Sequence, residues 1–94
     1  MRYYDSPFGR IALTDERLRH ILTFHPDVAT CVHYFTEALA SPEHTRVSTH
    51  DQNAIICYRY LPRRKKFLAI VVKTGAHPFI VTAYLARKMK KSNL

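Results

Sequence analysis

A chain of 94 residues makes one small domain, and 15 Lys and Arg against 7 Asp and Glu leave it with a formal charge of +8. Its 47% apolar and 23% charged residues, with only two glycines, exclude a disordered, collagenous or linker protein. There is no room for a second core, and the charge asks for an anionic partner: nucleic acid, an acidic protein or a membrane surface.

Residues 1–13 read as an N-terminal arm or edge strand, with Phe8 to Leu13 alternating apolar and polar. Thr14 is a good N-cap, and Asp15 and Glu16 suit the positive end of a helix dipole. Leu18, Ile21 and Leu22 then mark a short amphipathic helix to about Thr23. Pro26 suits the first turn of a second helix, whose face carries Val28, Cys31, Val32, Phe35 and Leu39 and which ends at Ser41-Pro42. Thr45 to Ser48 is a short strand. Three stronger strands follow at Asn53 to Leu61, Lys66 to Thr74 and Pro78 to about Ala86, separated by Pro62-Arg63-Arg64-Lys65 and by Gly75 to Pro78. Residues 87–94 form a basic tail.

The short connections favour antiparallel neighbours. The expected fold is therefore α+β, two N-terminal helices packed on a three- to four-stranded antiparallel meander. In the middle strand Leu68, Ile70 and Val72 share the face expected to pack on the helices, and Phe67, Ala69, Val71 and Lys73 share the other. No apolar run is long enough to span a bilayer, and no signal-peptide block opens the chain. Cys31 and Cys57 have no CxxC partner, so a reduced, cytoplasmic protein is expected. Cys31 belongs to the apolar face of the second helix; Cys57 is either core or on the exposed side of its strand.

Three groups of residues can carry chemistry. His20 and His25 flank the end of the first helix, where two imidazoles can supply a base and an acid, although isolated histidines are commonly surface or cap residues. Arg59 and Lys73 are single charges near the ends of apolar strands. Thr82 and Tyr84 place two hydroxyls on one strand face, with Ile80 by simple alternation. Cations at such positions clamp phosphate; the plainer reading is strand-end side chains reaching water. The third group is two basic runs, Arg63-Arg64-Lys65-Lys66 in the turn and Arg87, Lys88, Lys90 and Lys91 after the last strand. They hold 8 of the 15 cations. An antiparallel meander brings them to one end of the sheet, a phosphate footprint with Tyr58 and Tyr60 near for base stacking. The six histidines and two cysteines lack zinc spacing, so no metal and no cofactor is expected.

The segments Phe8-Gly9-Arg10-Ile11, Arg19-His20-Ile21-Leu22 with His25-Pro26-Asp27, Tyr58-Arg59, Val71-Val72-Lys73 and Phe79-Ile80-Val81-Thr82-Ala83-Tyr84 carry a resemblance. In order and spacing they resemble small phage- and bacteria-associated proteins grouped with the barnase–EndoU–colicin–RelE-like nucleases, over about residues 8–91. The resemblance implies N-terminal helices followed by an antiparallel four-stranded sheet, and metal-independent RNA cleavage of the kind seen in toxins. It carries His20, His25, Arg59, Lys73, Thr82 and Tyr84 over as catalytic residues. Asp27 stands where the family often has Glu. The implied reaction is attack of the RNA 2′-hydroxyl on the adjacent phosphate. His20 or His25 would be base or acid, Arg59 and Lys73 would bind phosphate, and Thr82 and Tyr84 would orient it. Two alternatives remain: a non-catalytic nucleic-acid-binding module that needs only the basic runs, and a protein-interaction domain paired with an acidic antitoxin or immunity protein.

Overall fold

The computed structural model describes residues 1–89. The chain begins with a hairpin, β1 (Arg2–Ser6) and β2 (Gly9–Leu13), closed by Pro7-Phe8. Ser6 Oγ donates to the Gly9 carbonyl at 2.7 Å and accepts from the Phe8 N–H at 3.0 Å. Gly9 leaves the turn at φ +105°, a conformation costly for a residue with a Cβ. The helix α1 (Asp15–Phe24) is capped by Thr14, whose Oγ1 accepts from the Arg17 N–H at 3.0 Å.

The expected second helix divides in two. Pro26–Tyr34 winds as a 3₁₀ segment, and only Phe35–Ala40 is α-helical, α2. Branched Val28, Thr30 and Val32 crowd an α-turn, and the Thr30 hydroxyl donates back to the Asp27 carbonyl at 3.2 Å. The apolar spacing serves both forms: Val28 and Cys31, three apart, are buried, as are Phe35 and Leu39.

Strands β3 (His44–Val47), β4 (Ala54–Leu61), β5 (Lys66–Lys73) and β6 (Phe79–Ala86) form the antiparallel meander. The sheet does not stop there. It has six strands in the order β1-β2-β6-β5-β4-β3, and β2 lies parallel to β6 through the pair Ala12–Phe79. The fold is α+β with a curled, mixed sheet rather than a purely antiparallel one of three or four strands. Residues 8–13 are not the edge, because β1 covers them. In β1 only Tyr4 is buried, so its sequence lacks the alternation of a half-buried strand.

The helices cover one face of the sheet. Ile21, Val28, Phe35 and Leu39 meet Cys57, Leu68, Ile70 and Val72, all fully buried. Each such branched or aromatic side chain contributes about 1.5–3 kcal/mol by leaving water. The opposite face carries a smaller cluster, Ile56, Tyr58 and Ala69 with Phe67, Val71, Tyr84 and Met89 against them. Among the described residues no helix is long and apolar enough to cross a membrane.

Candidate functional site

The helix-free face of the curled sheet is concave and holds a cavity of about 510 Å³. Arg46 of β3, Tyr58 of β4, Val71 of β5 and Thr82 and Tyr84 of β6 line it, together with Ser48 to Asp51 and Lys88. A bulge in β6 determines which side chains face it. Val71 pairs with Thr82, but Val72 pairs with Ile80, and Val81 has no opposite number. Thr82 and Tyr84 therefore face the cavity while Ile80 is buried under the helices, on the other face from them. The extra residue of a bulge is invisible to simple alternation, which had put Ile80 beside Thr82.

Polar groups inside the cavity are organised. Arg46 Nε donates to the Tyr58 hydroxyl at 3.0 Å, which orients the guanidinium on an otherwise apolar floor. Burial raises the Tyr84 phenol above its ordinary pKa, and the neighbouring Tyr58 adds to this while Arg46 opposes it. Tyr84 thus remains an O–H donor at neutral pH. The His25 ring reaches Tyr84 from the end of α1, with ring centroids 6.1 Å apart. On the far side the His44 ring lies 6.2 Å from Tyr58, and its buried Nε2 has no hydrogen-bond partner among the described residues. Lys73 also belongs to this face of β5, where it pairs with Asp51 at the rim. That contact, with the Asn53 N–H donating to the same carboxylate at 2.9 Å, holds Asp51 below the usual carboxylate range.

The residues singled out in the sequence are thus divided. Thr82 and Tyr84 share the cavity, His25 lies against Tyr84 without lining it, and Lys73 stands at the rim. Arg59 is on the opposite face, in register with buried Leu68. There its guanidinium lies 3.8 Å from Glu37 and donates to the Ser41 carbonyl at 3.1 Å, fastening the end of α2 to β4. His20 is exposed on α1, its ring 4.7 Å from that of Phe24, in a shallow cleft with Thr14, Glu16 and Arg17. It shares no described cavity with the other five.

Arg63, Arg64 and Lys65 are exposed and Lys66 half-buried at the β4–β5 turn, while Arg87 and Lys88 are exposed just after β6. The pair Phe67–Ala86 brings these two runs to one end of the sheet. Lys90 and Lys91 lie outside the described residues. Tyr58, at 2% exposure, is floor rather than a stacking surface; Tyr60, at 38%, packs its ring 5.1 Å from Phe67. Cys57 is core, and burial pushes its thiol up to about 11. Among the described residues no three His, Cys, Asp or Glu stand together as metal ligands.

Arg46 was missed from sequence. It sits in a four-residue strand, and only the register of β3 on β4, with Arg46 opposite Ile56, turns it toward the cavity. Comparisons with family models, with curated proteins and with solved structures return no match to this chain.

Proposed function

We propose that this chain is a toxin-like, metal-independent endoribonuclease and that its site is the concave sheet face. One observation carries the reading: Arg46, Thr82 and Tyr84 line a single cavity on an open face, with His25 against Tyr84 and Lys88 at the margin. Cleavage by the RNA 2′-hydroxyl needs a base, an acid and cationic stabilisation of the phosphorane. His25 takes the 2′-hydroxyl proton. The neutral Tyr84 phenol returns a proton to the departing 5′-oxygen. Arg46 and Lys88 bind the phosphate and Thr82 donates to it. The P–O5′ bond breaks as the O2′–P bond forms, leaving a 2′,3′-cyclic phosphate and a 5′-hydroxyl. His20 and Arg59 have no part in this arrangement. Two buried, unpaired cysteines fit a reducing, cytoplasmic setting.

The test is incubation of the purified protein with RNA in excess chelator. Cleavage leaving cyclic phosphate ends is expected. His25→Ala and Tyr84→Phe should each lower the rate by about 10²–10⁴, and His20→Ala by far less. A folded protein that leaves RNA intact overturns the proposal. The placement of His20 and Arg59 away from the cavity favours a second reading, a basic RNA-binding module without catalysis. Retained binding, indifferent to His25→Ala and without cleavage, would establish it.

A further inference from the structure

A second cavity, of about 550 Å³, lies on the helix side, between the 3₁₀ segment, α2 and the β4–β5 turn. Its size is that of a small-molecule site. Three guanidinium groups border it, those of Arg59, Arg63 and Arg64, with the side chains of His33 and Tyr34. The one acid, Glu37, is already engaged by Arg59, so the wall keeps an excess of positive charge. Two of the arginines are held in place. Arg64 donates to the Thr30 hydroxyl across the cavity, and Arg59 donates to the Ser41 carbonyl. Arg63 is exposed and makes no hydrogen bond or ion pair within the described residues. The His33 and Tyr34 rings lie 4.1 Å apart and present aromatic surface beside it.

Positioned guanidinium groups beside aromatic rings match a ligand that combines a phosphate with a flat base. We infer that this cavity is a second binding site, separate from the concave sheet face, and that it takes a nucleotide through its terminal phosphate. Arg63 and Arg64 hold the phosphate, and the base lies against the His33 and Tyr34 rings. The phosphate can belong to a free mononucleotide or to the 5′ end of an RNA chain, since both present the same group. The inference does not depend on the ribonuclease reading, because the two cavities share no lining residue.

The experiment is a titration of the isotopically labelled protein followed by backbone amide NMR. The probes are adenosine 5′-monophosphate, adenosine, and a short oligoribonucleotide with and without a 5′-phosphate. Adenosine 5′-monophosphate or the phosphorylated oligonucleotide should shift the amides of Thr30, His33, Tyr34 and Arg63. Adenosine should leave them in place, and the oligonucleotide without its 5′-phosphate should leave them less affected. If the mononucleotide acts alone, the source is the free nucleotide; if only the phosphorylated oligonucleotide acts, it is a chain end. Arg63→Ala and Arg64→Ala, both at exposed positions, should weaken the effect about tenfold or more. Shifts confined to the concave face, at Tyr58, Thr82 and Tyr84, would overturn the inference. So would silence from both phosphorylated probes at millimolar concentration. Shifts of the same amides by an oligoglutamate peptide but by neither phosphorylated probe would overturn it too, and would assign the cavity to an acidic protein.

Discussion

Arg46 and Tyr58 show how little a single residue's identity says about its use. Tyr58 reads from sequence as a strand tyrosine free to stack on bases, yet it is buried and spends its hydroxyl on the Arg46 guanidinium. Cys57, next to it, points the other way into the helix-side core. Its thiol carries a consequence for alkaline stability. Burial disfavours the thiolate, so the folded protein holds this proton up to about pH 11 against an ordinary 9.0. A raised pKa means that the folded state binds the proton more tightly than the unfolded chain. The associated stability is complete below about pH 9 and is lost as pH rises toward 11, on the order of 3 kcal/mol in all. Urea unfolding across this range should show a steeper alkaline decline for the wild type than for Cys57→Ala. Equal slopes would place the titration elsewhere. The substitution itself lowers stability at every pH by removing core volume.

At the level of elements, strong signals were legible and weak ones were not. The cap at Thr14, the apolar stripe of α1 and the three long strands all stand where residue type and spacing put them. The face of β5 that meets the helices was legible as well, because Leu68, Ile70 and Val72 alternate with less apolar neighbours. Strand β1 was not, since its one buried residue leaves no period to detect. The bulge at Val81 was not either, because pairing register belongs to two strands at once. Arg59 fell between these cases: its place near a strand end was readable, its face only after β4 had a register. On the helix side it joins α2 to β4 rather than clamping a phosphate in the concave cleft. Arg59→Ala should therefore lower stability by up to about 1 kcal/mol, since the Glu37 pair is partly solvated. RNA cleavage should fall far less than in His25→Ala. Calorimetry alongside a cleavage assay separates the two effects, and a catalytic loss as large as that of His25→Ala would return Arg59 to the reaction.

Across the whole molecule, the net charge of +8 takes a direction. The β4–β5 turn and the end of β6 bring Arg63 to Lys66 and Arg87-Lys88 to one end of the sheet. The antiparallel meander expected from the short connections is enough to produce that convergence, so it was legible in the sequence. The division of the expected catalytic set between two faces was not, because it depends on the curl and registers of six strands. The footprint makes a quantitative prediction. Replacing Arg63, Arg64 and Lys65 together by Ala should reduce the slope of log affinity for single-stranded RNA against log salt by about 2, at roughly 0.7 per charge removed. An unchanged slope would mean that these cations point away from bound RNA.

The parallel contact between β2 and β6 ties nearly the first strand of the chain to the last. Among the described residues the N-terminal hairpin has no other strand neighbour, though Tyr4 of β1 also packs its ring 6.1 Å from that of Phe35 in α2. During synthesis the hairpin and helices emerge long before the strand that seats them. Until β6 arrives, Ile11 and Leu13 lack part of their cover, and Thr82 and Tyr84 have yet to leave the ribosome. The proposed site thus has a built-in temporal order: no fragment that stops short of β6 can possess it. Such fragments expose apolar surface instead, which makes them substrates for proteolysis.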